Sequence, residues 1–518
     1  MPTSPVIPVL TAAESAAWDA RARADAGIPA RVLMESAGRA AAHVIALEFA
    51  GLLDRGVLVV AGPGNNGGDG WVAARALHAA GVRVWGTDLP RERSPDCEAN
   101  RALALADGVA WIEAGERWPA AGVLVDALLG TGASGAPAGP LAELARLVAA
   151  HGAPVAAIDG PTGLDLTTGV AHGPIRAALT VTFGGLHRGH LRARDWAGRV
   201  VVVEMGFPPA EAAWPQFVTE QWARSVLPGF APGMHKGDRG RVLIVGGAVG
   251  MAGAAMHAAR TAFACGAGLV KLAVPESSLH AAQANLPDAL TVTTALGPAL
   301  EPDLAEALDW ADAIVLGPGL GRGSERSAFA ALVMERANAP VVLDADALHV
   351  PGLADVGDAD RVLTPHPGEF AAQFPDLAAL GRDDPFAAPL AALESLSAGP
   401  PSRRSAVLLK GVPTVIAGAQ GRRVVGTGNP ALATGGSGDL LAGTIATFLA
   451  RGLAPLDAAA LGAHVMGRAA DLIVARRGVR GTRPDDVAAA YPAVWEVLTQ
   501  PVAPAPPVLL TLHPPATS

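Results

Sequence analysis

Two short stretches of this chain carry residue types that could do chemistry. Residues 62–70 read "GPGNNGGDG", directly after the strand-like run "VLVVA" from Val57 to Ala61. Gly62, Gly64 and Gly67 fit the spacing of a dinucleotide-binding turn, and Asp88 lies about where a ribose-binding acid is expected. A loop that merely cradles a pyrophosphate has no need of Asn65, Asn66 and Asp69. Taken singly, these three could tie a tight turn or cap a helix. Together with Asp126 and Asp159, each near a strand's carboxyl end, they gather carboxylates that are costly to crowd unless they bind a cation or handle protons.

The second stretch is "GNPALATGGSGDLLAGTIATFLARG", from Gly428 to Gly452. Gly435, Gly436 and Gly438 leave backbone N–H groups open at the start of a helix, whose dipole favours an anion by roughly 0.3–1 kcal/mol at an exposed site. Asp439 follows at once. A carboxylate beside a bound phosphate repels it unless it takes a proton, so a general base is the natural role, with a helix acid complementing the dipole as the plain alternative. Only three of the 39 basic residues are lysine: Lys236, Lys271 and Lys410. Two of these stand in Lys-Gly pairs, "HKG" and "LLKG", and are candidates for a compact point charge that arginine cannot replace.

The elements that must position these residues alternate along the chain. "VLVVAG", "VRVWG", "GVLVDALLG", "PVAAID", "LTVTF" and "RVVVVE" are β-rich runs separated by Ala-rich amphipathic stretches, an order that predicts a parallel, doubly wound α/β sheet. Ligands bind beyond the carboxyl ends of such strands, and "GPGNNGGDG", "DALLGTGASG" and "DGPTG" all follow strands. Proline and aromatic residues crowd residues 206–232, where a domain boundary is expected. A second α/β series then runs through "RVLIVGG", "GLVKLAV", "AIVLGPG", "PVVLDAD", "RVLTPHPGE" and "AVLLKG" to the helix opened by "GGSGD". The domains expected are 1–215 and 225–500, followed by a proline-rich tail over 501–518 without regular structure.

Bulk composition bounds the function. At 518 residues the chain is too long for one ordinary core. A net charge of -9, with no long basic stretch, argues against nucleic-acid binding. Cys97 and Cys265 are too few for a disulfide framework or thiolate metal site. "MPTSPVIPVL" lacks the features of a signal peptide, and "LLAGTIATFLA" is too short to span a bilayer, so a cytoplasmic protein without membrane association is expected.

"VLTAAESAAWDARARADAGIPARVLMESAG", "GPGNNGGDGWVAARAL", "DALLGTGASG" and "TVTFGGLHRG" resemble the epimerase domain of the bifunctional NAD(P)H-hydrate repair enzymes, over nearly all of residues 8–207. That family interconverts the R and S forms of NADH or NADPH hydrated on the nicotinamide ring. The resemblance implies a Rossmann-like domain in which Asn65, Asn66, Gly67, Gly68 and Asp69 contact the hydrate. It implies the same for Gly130, Thr131, Gly132, Ala133, Ser134, Gly135 and Ala136. Asp159 is then the residue at the reacting ring, and Asn66, Asp126 and Thr162 hold a potassium ion. The family's usual Asp-Ile-Pro-Ser-Gly is here "DGPTG", with Gly160 and Thr162, and a lysine common after "TVTF" gives way to His187, Arg188 and Gly189. His187 and His190 have a metal-like spacing but no third ligand nearby in sequence.

In the second half, the glycine loop and Asp439 resemble the ribokinase-like superfamily. "HKGDRGRVLIVGGAVGMAGAAMHAARTAFACGAGLVKLAVP", "AIVLGPGLG", "LDADAL", "LTPHPGEF" and "LLKGVPTVI" narrow the likeness to the ADP- or ATP-dependent NAD(P)H-hydrate dehydratases, from about Met234 to Arg476. By that similarity Lys410, Gly411, Val412, Pro413, Thr414 and Gly438 hold ADP or ATP with Mg2+. Ala254, Gly319, His366 and Asp439 face the hydrate; His366, between two prolines, could otherwise be a rigid turn residue. The implied chemistry is phosphoryl transfer to the ring hydroxyl and loss of phosphate, in a homo-oligomer. Two alternatives remain: a ribokinase-like small-molecule kinase with an accessory Rossmann-like domain, and a first half that binds without turning over.

Overall fold

The computed structural model describes residues 6–114, 116–396, 404–500 and 507–516. The chain divides between Trp214 and Pro215 into two compact units, and the last strand returns to the first of them. The first unit contains strands β1 Val9–Leu10, β2 Val57–Ala61, β3 Val84–Asp88, β4 Ala110–Trp111, β5 Val123–Ala127, β6 Val155–Ile158, β7 Leu179–Phe183, β8 Leu186–His187 and β9 Arg199–Val203. The second contains β10 Gln216–Phe217, β11 Arg241–Val245, β12 Leu269–Val274, β13 Leu290–Thr293, β14 Ala313–Leu316, β15 Val341–Leu343, β16 Arg361–Leu363, β17 Ser405–Leu409, β18 Thr414–Gly418 and β19 Gly421–Val425. β20 is Val508–Leu512.

In the first unit the order β20-β9-β7-β6-β5-β2-β3-β4 is parallel throughout except for β20, which runs antiparallel to β9. Every residue of β2 and β5 is buried, as a parallel sheet covered on both faces requires. A separate two-stranded sheet pairs β1 with β8 and sets Leu10 opposite His187. The second unit orders its strands β10-β19-β18-β17-β16-β15-β14-β11-β12-β13, parallel from β13 to β17 and then folded back through the antiparallel strands β18 and β19.

Three features depart from the expectation. The tail does not lack regular structure throughout, because Val508–Leu512 adds a strand beside β9, with Thr511 opposite Val201. Its apolar residues gain a hydrogen-bonding edge that a reading of proline content alone does not reveal. The second series does not end at the glycine-loop helix Ser437–Ala450. A longer helix, Pro455–Arg477, follows and is long and apolar enough to cross a membrane, but most of its apolar stretch is buried inside the unit. Finally, "TVIAGAQGRRVV" forms the hairpin β18–β19, closed at Gly421 with φ +115°.

Deleting residues 507–518 should leave β9 as an open edge. We expect a lower melting transition for the first unit and greater association, because an unpaired strand edge is a template for pairing; calorimetry and light scattering check both, and an unchanged melting profile would count against the strand's role.

Candidate active sites

In the first unit, backbone contacts set the site before any side chain does. A Cβ at Gly62 would lie 1.8 Å from the Leu128 carbonyl oxygen, and one at Gly67 would lie 1.9 Å from that of Gly62. These glycines let the start of helix Asn65–Ala79 close onto the loop that follows β5. Asn66 sits there against Gly130, where a Cβ would come within 3.0 Å of the amide carbon. Among the described residues the Asn66 Nδ2 group is buried without a hydrogen-bond partner. Asn65 is tied instead to the hydroxyl of Ser94, which donates to its Oδ1 at 3.1 Å.

Asp126 lies within β5 and is fully buried. It accepts hydrogen bonds from Leu128 N–H (3.2 Å), Thr162 N–H (2.7 Å) and the Thr162 hydroxyl (2.8 Å). The Thr162 hydroxyl in turn accepts from Leu129 N–H at 3.1 Å, so Thr162 in "DGPTG" is locked to Asp126. Burial pushes the Asp126 carboxyl up to about 6, against those hydrogen bonds. Among the described residues it has no cationic side chain as partner.

Asp159 follows β6 directly and adopts φ +67°, a left-handed conformation that is strained for a residue with a Cβ. Its carboxylate accepts from Thr131 N–H (2.8 Å), from the Thr131 and Thr182 hydroxyls, and from His187 Nε2–H at 3.3 Å. Its carbonyl oxygen accepts from His190 Nε2–H at 2.8 Å. Burial alone would raise this carboxyl; the charge and hydrogen bond of His187, the Thr131 bond and His190 outweigh it and hold the group below the usual carboxylate range. Asp69 goes the other way: burial, then the charges of Asp159 and Asp19, hold it well above that range. One crevice thus contains one acid shifted towards the protonated form and a second shifted towards the ionised form. The segment Gly130–Ala136 continues from the β5 loop as a partly exposed rim, with Ala133 N–H bonded to the Gly130 carbonyl at 3.0 Å.

The pair His187 and His190 is not arranged for a metal. His190 Nδ1 accepts from His187 N–H at 3.2 Å while Nε2 binds Asp159, which occupies both ring nitrogens. Asp88 is likewise not free for a ribose. It is 2% exposed, its Oδ2 meets Arg101 Nε at 2.6 Å and Arg93 at 3.0 Å, and its Oδ1 accepts from the Trp111 indole at 3.2 Å.

In the second unit the site residues leave the ends of neighbouring strands. Asp344 follows β15, Thr364 and His366 follow β16, and Lys410 follows β17. Lys410 Nζ lies 2.8 Å from Asp344 Oδ1 and 3.9 Å from Glu369 Oε2. Asp344 is 1% exposed and also accepts from the Thr364 hydroxyl at 2.7 Å. Burial works against the Lys410 charge, but Asp344 and Glu369 more than offset it and raise its pKa. The glycine loop comes down onto this pair: a Cβ at Gly438 would lie 3.2 Å from both Asp344 Oδ2 and Lys410 Nζ. Gly436 takes φ +100° to start the helix without a side-chain cap.

Asp439, in the first turn of that helix, is partly buried and pushed up to about 7, chiefly by burial and then by Asp344, with Lys410 pulling the other way. Ala254 and Gly319 are neighbours: Gly319 has φ +61°, and a Cβ there would lie 3.2 Å from that of Ala254. His366 both caps a helix and stays open. Its Nδ1 accepts from Gly368 and Glu369 N–H at 3.0 and 3.2 Å, while 57% of the side chain is exposed. Gly411, Val412, Pro413 and Thr414 lead from Lys410 into β18, with Val412 73% exposed.

Asp344, Asp346, Thr364 and Glu369 escaped the sequence reasoning, as did Thr182 and the contact of His187 with Asp159. Asp344 carries the same signal as Asp159, an aspartate immediately after an apolar strand; what sets the acids inside "LDADAL" and "TPHPGEF" apart is their meeting with Lys410 in the fold.

The fold and the two crevices define a two-unit α/β protein, Rossmann-like in its first unit and ribokinase-like in its second. Residues 30–189 match the family described as YjeF-related protein N-terminus, and residues 242–493 match NAD(P)H-hydrate dehydratase. The chain is 39% identical over 509 residues to the bifunctional NAD(P)H-hydrate repair enzyme Nnr of Salinibacter ruber, covering 90% of this chain and 92% of that protein. It is 34% identical over 477 residues to the corresponding enzyme of Escherichia coli, covering 89% and 88%. A crystal structure of the ADP/ATP-dependent NAD(P)H-hydrate dehydratase of Bacillus subtilis, co-crystallised with ATP/Mg2+, aligns with a TM-score of 0.49 at 27% identity, over 55% of this chain and 98% of that one. The chain belongs to the family of bifunctional NAD(P)H-hydrate repair enzymes.

If Asp88 is a structural ion-pair centre, Asp88→Ala should destabilise the first unit by about 3 kcal/mol, the low end for breaking a buried pair, since both arginines keep partial access to water. Urea unfolding measures the loss. The KM for the dinucleotide should hold steady; a large rise in KM with unchanged stability would return Asp88 to the ribose.

Proposed function

We propose that the first unit interconverts the R and S hydrates of NADH and NADPH, and that the second dehydrates the S form using ADP or ATP. The observation that carries this is the meeting in the first crevice of Asp69 and Asp159, whose pKa values are shifted in opposite directions, and in the second the glycine loop that sets Asp439 at the Lys410–Asp344 pair. Moving a hydroxyl from one face of a ring carbon to the other needs a proton donor and a proton acceptor together. Asp69 and Asp159 supply them. In the second unit the nucleotide's terminal phosphoryl group goes to the ring hydroxyl, and Asp439 takes the hydroxyl proton. Departure of phosphate together with loss of a proton from the adjacent ring carbon then restores the ring double bond, leaving AMP from ADP. Lys410 and the open N–H groups of the glycine loop meet the charge on the transferring group. The acids around Lys410 provide oxygen donors of the kind that Mg2+ accompanying the nucleotide accepts.

A potassium ion fits the first crevice by its donor chemistry. Asp126, the Thr162 hydroxyl and the Asn66 amide oxygen are hard oxygen donors, and the fully buried Asp126 lacks a cationic side chain among the described residues. A bound cation there would keep Asp126 ionised and the loops after β2, β5 and β6 in register.

Incubation with mixed epimers, Mg2+ and excess ADP tests both halves through restored absorbance of NADH. The intact protein should restore all the hydrate. Asp159→Ala should stop its fast phase when S is exhausted, and an added separate epimerase should remove the slow remainder. Asp439→Asn should slow dehydration by about 10²–10⁴-fold while epimerisation persists. With Asp439 pushed up to about 7, wild-type kcat/KM for dehydration should rise as pH increases through about 7, because the base must lose its proton. Completion in one fast phase by Asp159→Ala, or near-normal dehydration by Asp439→Asn, would exclude the assigned role.

The cation site has a readout of its own. KCl should raise the melting temperature of the first unit above that in tetramethylammonium chloride at equal ionic strength, and Asp126→Asn should remove the difference. Equal melting in both salts for the wild type would argue against the ion.

A further inference from the structure

His187 is buried, 2% exposed, yet it is not an inert core histidine. Its Nε2–H points at Asp159 Oδ1 from 3.3 Å and stands 3.5 Å from the Thr131 hydroxyl, which is bonded to the same carboxylate. Its Nδ1 is buried with no partner among the described residues. A half-satisfied imidazole is a costly occupant of such a position, and the contact that offsets the cost is the one to Asp159.

The neighbouring bonds form a closed circuit. His190 Nε2–H donates to the Asp159 carbonyl at 2.8 Å, which fixes the tautomer and leaves Nδ1 to accept His187 N–H at 3.2 Å. Burial and His187 lower the pKa of His190 to about 3, so it remains a neutral strut. The His187 ring then reaches back to the side chain of the same aspartate. Main chain and carboxylate of Asp159 are thereby held by two histidines three residues apart, while β8 is anchored through the pairing of His187 with Leu10.

We propose that His187 is a positioning residue of the first crevice: through its Nε2–H it orients the Asp159 carboxylate for proton exchange with the substrate. This rests on the assignment of proton chemistry to Asp159. The charged or titratable groups facing Asp159 are His187 from β8, His190 from the short helix Arg188–Arg192, and Asp69 from the helix Asn65–Ala79. Thr131 and Thr182 complete its surroundings as neutral donors. Of the titratable side chains among the described residues, His187 alone puts a nitrogen against the carboxylate itself.

The sign of the effect follows. A carboxylate that loses a cationic partner while remaining buried takes up a proton at higher pH. His187→Gln keeps an amide N–H for the hydrogen bond but removes the titratable ring. The acid limb of its epimerisation kcat/KM should therefore move up by roughly 1–3 pH units, with KM for the hydrate little changed at pH 8. His187→Lys, which returns a cation to the carboxylate, should bring the limb back towards the wild-type position. A structural filler would not move a pH profile in this way.

Initial epimerisation rates for wild type, His187→Gln, His187→Lys and Asp159→Asn between about pH 4 and pH 8 decide the matter. A His187→Gln limb superimposed on that of the wild type, with Asp159→Asn inactive, overturns the role of His187 and leaves that of Asp159 standing. Wild-type turnover by Asp159→Asn overturns the assignment of Asp159 itself.

Discussion

A carboxylate removed from water must be given a counter-charge or hydrogen-bond donors, or it takes a proton. This constraint orders both crevices. Asp344 is matched with Lys410 at 2.8 Å and with the Thr364 hydroxyl. Asp159 has two histidines and two threonines around it. Asp126 has hydrogen bonds only, and burial lifts it to about 6. Asp69 and Asp439 have still less compensation and are held towards the protonated form. The chain crowds acids and then separates their behaviour by what it places beside each one.

Such crowding depends on backbone that approaches backbone. The glycines of residues 62–70 match a dinucleotide fingerprint, but two of them work inside the protein, admitting the carbonyls of Leu128 and Gly62 to distances that no Cβ would tolerate. Gly438 leaves close room over the side chains of the Asp344–Lys410 pair, whose polar atoms would lie 3.2 Å from a Cβ there. Parallel strands supply the rest: each delivers its loop to the same edge of the sheet, so Asp159 and Asp344 occupy equivalent stations directly after a buried strand, in two units of different topology.

Much of this was legible in the sequence. Alternating β-rich and Ala-rich segments gave two α/β series, and the long motifs around Asn65, Asp159, Gly435 and Lys410 pointed to loops that the fold does gather at strand ends. What escaped depended on distance. Asp88 has the right spacing for a ribose acid, and only the placement of Arg93 and Arg101 removes it from that role. His187 and His190 resemble a metal pair in one dimension and become a clamp on Asp159 in three. The strand Val508–Leu512 was hidden by the prolines around it, because its partner lies some three hundred residues earlier in the chain.

The opening loop thus carries a dinucleotide's spacing without a hydride enzyme's logic. A cofactor clamp needs a free acid for the ribose and bare backbone for the phosphates; here the acid is consumed by arginines, and the loop contributes a carboxyl shifted well above the usual range and a buried amide instead. The second crevice follows the same rule with a nucleotide added. Asp344 is in direct contact with the Lys410 ammonium, whereas Asp439, in the first turn of the glycine-loop helix, is pushed up to about 7 chiefly by burial and is free to exchange a proton near neutrality.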